Sequence, residues 1–166
     1  LCDDHSDELI IMHQQFRSYG NISSFCGEIH TIKCQDDNSK VREAVNTNGC
    51  NKVLVVDGNA SIKCALLGDM LAEAACKNNW SGIIVNGCIR DSDVIETIDI
   101  GVFALSSIPI KSVKKGLGDT NVSLNRGVGR IPKNICRSEV CSFYAGWQCS
   151  HVSWNNCTLL RRWQNF

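Results

Sequence analysis

Apolar residues in this chain gather in short runs separated by polar, glycine-bearing stretches, and the runs alternate between two periods. Residues 27–34 alternate apolar and polar positions among β-branched residues, which predicts a strand. Residues 52–58 form a continuous apolar run closed by Asp57-Gly58, a turn signal. That predicts a strand buried on both faces. Residues 81–87 and 101–106 predict two more strands, and 121–124 a weaker one. Between them the spacing becomes helical. Asp36-Asp37-Asn38-Ser39 can cap a helix that runs through Val41, Ala44 and Val45 and stops at Asn48-Gly49. Residues 66–77 carry apolar positions at helical spacing, with the helix starting at Gly68-Asp69, and 91–98 predict a short helix. Residues 6–19 open polar and hold Leu9, Ile10, Ile11 and Met12. Strands alternating with helices predict an α/β domain with parallel pairing.

Composition narrows the class. With 166 residues the chain is long enough for one domain with a real core. Lys plus Arg number 17 and Asp plus Glu 17, so the formal net charge is zero and bulk-charge binding of nucleic acid is disfavoured. No apolar run approaches the roughly 18 residues of a membrane span. The opening Leu1-Cys2-Asp3-Asp4-His5 lacks the basic start and apolar stretch of a signal peptide. The eleven cysteines are odd in number and irregular in spacing, without a C-x-x-C pair. That pattern reads as buried free thiols in a reducing cytoplasm, not as a disulfide framework or a zinc site.

The candidate chemistry sits at Val85-Asn86-Gly87-Cys88-Ile89-Arg90-Asp91-Ser92-Asp93. Arg90 and Asp91 fall where a strand gives way to a helix, at the mouth of an α/β sheet, where ligands bind. A guanidinium grips a carboxylate with two parallel hydrogen bonds, and a neighbouring carboxylate holds a hard divalent cation. Together they suit an α-keto acid bound on a metal and turned into its enolate. The competing reading makes Asp91 an ordinary helix cap and Arg90 a surface ion-pair partner. Gly68-Asp69-Met70-Leu71 opens another helix, whose free N–H groups favour anions, although Asp69 also suits any first turn. Lys111, Lys114 and Lys115 read as a solvated loop. His5, His13, His30 and His151 stand apart, without a hydrolase or zinc-peptidase pattern.

Several segments, taken together and in order, resemble the RraA-like family, which includes 4-hydroxy-4-methyl-2-oxoglutarate aldolases and the regulator of ribonuclease E activity. They are residues 53–58, 67–72, 80–91 and 99–105, supported by 1–5, 16–20 and 114–118. The resemblance covers about residues 1–125. It implies a swivelling β/β/α sandwich that assembles as a homotrimer with sites near subunit boundaries. It implies a cytoplasmic lyase, a divalent-metal-dependent (Mg2+ or Mn2+) pyruvate aldolase that also decarboxylates oxaloacetate. By motif position, the backbone of Gly68, Asp69, Met70 and Leu71 binds the keto-acid end with Arg90. Asp91 holds the metal and Asp69 orients a metal-bound water. The alternative is a regulator without chemistry that binds and inhibits ribonuclease E.

After Leu124 the family order is lost. Residues 126–166 hold four cysteines, three of the four tryptophans and one acidic residue, Glu139, with no clear period. Where the family has Tyr-Ala-Asp and then Gly, Tyr144-Ala145 is followed by Gly146-Trp147-Gln148-Cys149. One codon choice for these four residues, GGA-TGG-CAA-TGC, read one base later encodes Asp-Gly-Asn. The expectation is an RraA-like domain over 1–125 and an atypical Cys/Trp-rich tail over 126–166, a frameshifted remainder of the same domain. The C-terminal part of the fold is correspondingly doubtful.

Overall fold

The structure is a computed structural model that describes residues 15–122 and 140–144, the latter through their backbone. Its centre is four parallel strands: β2 (Ser24–Lys33), β3 (Val53–Leu67), β4 (Gly82–Ile89) and β5 (Gly101–Ser107). Short antiparallel strands flank them. β1 (Arg17–Ser18) pairs with β5, while β6 (Asp119–Thr120) and β7 (Val140–Tyr144) pair with β2, giving the order β1-β5-β4-β3-β2-β6 with β7 off this path. Three helices cross over between parallel strands: α1 (Ser39–Val45), α2 (Asp69–Lys77) and α3 (Ser92–Ile95).

The continuous apolar runs follow from burial on both faces. Successive side chains of a strand point to opposite sides. Leu54, Val56, Ile83, Val85, Val102 and Ala104 therefore pack with Val41, Val45, Ala72, Ala75 and Ile95 from the helices. Their neighbours Val53, Val55, Ile84 and Phe103 join Phe25 and Ile29 in a second cluster on the other face, with Phe16 and Val122 against it. This is the mixed α/β architecture expected.

The structure departs from the sequence reading in four places. Asp57-Gly58 does not end its strand. β3 continues to Leu67 with register shifts against β4, because Asn59 and Ala60 adopt positive φ and let residues 59–63 bulge outward before the chain rejoins the sheet. Leu66 and Leu67 are consequently strand, and α2 begins at Asp69. The helix expected over 91–98 is regular only from Ser92 to Ile95. The weak strand expected over 121–124 lies earlier, at Asp119–Thr120, while Asn121 instead donates its N–H to Thr31 and Ser123 and Leu124 fall outside the described residues. The apolar residues 9–12 also lie outside them. Cys34, Cys50, Cys64, Cys76 and Cys88 are free thiols. Cys34, Cys64 and Cys88 are buried, Cys26 and Cys76 are half-buried, and Cys50 is exposed.

Candidate active site

Strand register assembles the site. β3 and β4 are parallel neighbours whose last paired residues are Leu67 and Ile89. The residues just beyond, Gly68 and Arg90, therefore leave the sheet side by side, and the Arg90 N–H donates to the Leu67 carbonyl at 2.9 Å. Two motifs 22 positions apart in the chain become one mouth at the carboxyl ends of the strands, where open α/β sheets bind ligands.

At Gly68 the backbone is extended and open to any residue, so the need for glycine is one of space. A Cβ there would stand 3.0 Å from Arg90 Nε and 3.1 Å from Asp91 Oδ2. Gly68 is the N-cap of α2 and its carbonyl accepts from the N–H groups of Leu71 and Ala72. The N–H of Met70 donates to the carboxylate of Asp69 at 2.7 Å.

Asp91 caps its helix through the backbone and not through its side chain. It occupies the N-cap position of α3 through its backbone, its carbonyl accepting from Val94 and Ile95, yet its side chain makes no capping bond. Its φ of 57° and ψ of 40° are left-handed, an uncommon conformation for a residue with a side chain. The carboxylate is turned back toward the sheet, Oδ2 lying 3.2 Å from Arg90 Nε. Both side chains are about one-third exposed (36% and 34%). Pairing through Nε leaves the two terminal nitrogens of Arg90 for a ligand carboxylate.

Arg90 and the α2 start line a cleft of about 200 Å³ with Gly68, Asp69, Met70 and Leu71. Asp91 lines the adjoining open concavity with Asp93, Ser107 and Pro109, so the Arg90–Asp91 pair forms the ridge between the two hollows. Gly68, Asp69, Met70, Leu71 and Arg90 thus share one cleft, while Asp91 lines the other hollow and reaches the first through its contact with Arg90. Asp93 lies in the first turn of α3 and accepts from the Ser92 hydroxyl at 3.3 Å.

The sequence reading missed the far wall. Lys111 and Lys114, expected in a solvated loop, line the cleft with Asn38, Arg42 and Ser112. The Oδ1 of Asn38 and the hydroxyl of Ser112 are buried there without hydrogen-bond partners among the described residues. The loop is held by Asp37, which is buried. Its Oδ1 accepts from the Ser39 N–H and hydroxyl, and its Oδ2 from the N–H groups of Lys115 and Leu117. Burial alone would raise the Asp37 carboxyl, but these hydrogen bonds outweigh it and hold the group well below the usual carboxylate range. No local pattern announces partners 78 and 80 residues away. Other reactive groups stand aside. Burial, with Asp37 and Asp57 next in effect, pushes the Cys34 thiol up to about 12, leaving it protonated, and His30 packs edge-on to Trp80 with ring centroids 5.7 Å apart.

The fold is an α/β protein whose parallel sheet opens at its carboxyl ends into a small cation-lined cleft. The chain belongs to the RraA-like family, the aldolase/RraA model matching residues 1–134. Two relatives are named, provisionally, as 4-hydroxy-4-methyl-2-oxoglutarate aldolases. The one from Aromatoleum aromaticum is 52% identical over 127 residues, 76% of this chain and 80% of its own length. The one from Pseudomonas aeruginosa is 54% identical over 127 residues, 76% of this chain and 78% of its own. Among solved structures, the S-adenosylmethionine: 2-dimethylmenaquinone methyltransferase from Geobacillus kaustophilus superposes with a TM-score of 0.83 at 39% identity, covering 93% of this chain and 94% of that one. The RNA-processing inhibitor RraA from Thermus thermophilis gives 0.75 at 29%, covering 92% and 93%. These names disagree about activity on one fold, so the site has to carry the functional argument.

Proposed function

We propose that the protein is a divalent-metal-dependent lyase that cleaves 4-hydroxy-4-methyl-2-oxoglutarate-type substrates to pyruvate and also decarboxylates oxaloacetate. The observation that carries this reading is the Asp91 carboxylate, turned away from its helix and set beside Arg90 and the Gly68 backbone. The donor set suits Mg2+ or Mn2+. It offers one hard, partly exposed carboxylate oxygen with open space beside it for water, and such ions take one or two protein carboxylates. When bound, the cation would polarise the keto carbonyl and offset the charge that develops on its oxygen as the carbon–carbon bond breaks.

The chain's own residues do the rest. Arg90 and the open end of α2 hold the carboxylate next to the keto group and fix the breaking bond out of the carbonyl plane. Arg42, Lys111 and Lys114 suit the second carboxylate of a dianionic substrate. Asp69 accepts the proton of the C4 hydroxyl, directly or through water, as the bond between C3 and C4 opens. Aldol cleavage and oxaloacetate decarboxylation share one pyruvate enolate, so one site serves both. Under this reading the protein works in the cytoplasm as a homotrimer. Exposed Ile62, Met70, Ile110, Val113 and Leu117 supply apolar surface for subunit contact.

The second reading, a protein that binds and inhibits ribonuclease E, is favoured by the likeness to the Thermus inhibitor. An oxaloacetate decarboxylation assay separates the two. The enzyme reading expects activity that EDTA removes and Mg2+ or Mn2+ restores. No activity at any metal concentration, together with tight ribonuclease binding, establishes the regulator. The domain division at residue 125 and the altered reading frame beyond it are proposed with the function. Sequencing the gene across codons 120–166 tests them, and a single frame without an indel relative to close relatives ends the idea.

A further inference from the structure

The first turn of α2 carries a contact that a substrate carboxylate would have to break. Helix starts leave N–H groups directed back along the axis. Here Leu71 and Ala72 spend theirs on the Gly68 carbonyl, while the N–H of Met70 is taken by the Asp69 carboxylate at 2.7 Å. Asp69 thus puts its own anion on the N–H that the dipole offers to a ligand. Independently, Ser112 points to a ligand in the same cleft. It is 8% exposed, it lines the cleft, and its hydroxyl has no hydrogen-bond partner among the described residues. Asp69 is also the one acidic group among the described residues lining that cleft, which otherwise carries Arg42, Arg90, Lys111 and Lys114.

We propose that Asp69 is a self-ligand that closes the anion site when it is empty, and that the arriving keto-acid carboxylate displaces it from Met70. Displacement has two consequences. The substrate carboxylate gains the Met70 N–H beside the Arg90 guanidinium. The Asp69 carboxylate, lifted from the helix end, becomes the free proton acceptor of the cleft. Only a ligand bearing a carboxylate triggers the exchange, so neutral keto compounds of the same shape leave Asp69 in place. This inference rests on the keto-acid reading of the cleft.

Pyruvate binding, titrated calorimetrically at saturating Mg2+, tests it in the full chain and in Asp69→Ala, Asp69→Asn and Arg90→Ala. The Asn oxygen still accepts from Met70 but carries no charge, whereas Ala removes charge and contact alike. Displacement expects Asp69→Ala to bind pyruvate about three- to tenfold more tightly than Asp69→Asn, the worth of one competing hydrogen bond. Equal affinity in the two variants, or weaker binding in Ala, overturns the self-ligand, because removal of charge would then account for everything. Arg90→Ala reports on the underlying reading separately. Pyruvate binding undiminished in that variant, or no binding to any of the proteins, overturns the keto-acid site itself. Matching thermal unfolding midpoints identify variants with an intact α2, since alanine is a good residue for a first turn.

Discussion

Asp37 holds the loop that walls the cleft and Asp91 lines the adjoining hollow, and the two carboxylates are spent in opposite ways. Asp37 is buried and accepts four hydrogen bonds, two from Ser39 and one each from Lys115 and Leu117, so no lone pair is left over for chemistry. Asp91 is one-third exposed, declines the cap that its position offers, and has Arg90 as its neighbour. A buried carboxylate saturated with donors is architecture, whereas one left partly exposed beside a single cation suits the ligand role proposed for it. Burial and hydrogen-bond accounting separate the two roles where residue type alone does not.

The sharpest way to break this comparison is to remove each carboxylate. Asp91→Ala should lower pyruvate formation about a thousandfold or more, equivalent to ~4 kcal/mol, with the unfolding midpoint almost unchanged. Full activity in the purified variant would end the assignment of the metal to Asp91. Asp37→Ala should do the reverse in kind. Loss of the acceptor strands four donors and should cost about 3 kcal/mol of stability, lowering the melting temperature by roughly 10 °C. Activity per folded molecule should fall only as far as the 111–118 loop loosens.

The difference should also depend on pH. The folded Asp37 carboxyl lies well below its unfolded value of about 3.9, so its contribution is complete above that pH and is lost as pH falls through the folded value. Urea unfolding of wild type and Asp37→Asn at pH 7 and pH 3 should show the gap between them narrowing at the lower pH. A constant gap would mean that folding leaves the Asp37 carboxyl unshifted, and a widening gap that it is neutral in the folded protein. The smallest effect belongs to the far wall. Lys114→Ala should raise KM for a dianionic substrate about three- to fivefold, as expected for an exposed charge, while pyruvate binding stays nearly constant. Equal losses for both ligands would remove Lys114 from the second-carboxylate role.

Much of this was legible in the chain, for reasons that can be named. The runs at 53–56 and 83–85 are apolar because both faces of the sheet are covered, and any strand so placed has the same appearance. Arg90-Asp91 and Gly68-Asp69 stood out because strand ends and helix starts are written locally. The bulge at 59–63 was not legible. Asn59 and Ala60 bear no glycine at their positive φ, and the Asp57-Gly58 turn signal misled because the chain pairs with β4 again at Ser61 and at Ala65.

The sequence by itself determined the elements and the chemistry each end could offer, since periodicity, caps and side-chain type act within a few residues. Only the tertiary structure decided which carboxylate was saturated with hydrogen bonds and which stayed partly exposed. That depends on register, which sets Gly68 beside Arg90, and on distant N–H groups, which commit Asp37 to the 111–118 loop and swing Lys111 and Lys114 into the cleft. Such partners are selected by packing across the whole sheet, and no local stretch of the chain encodes them.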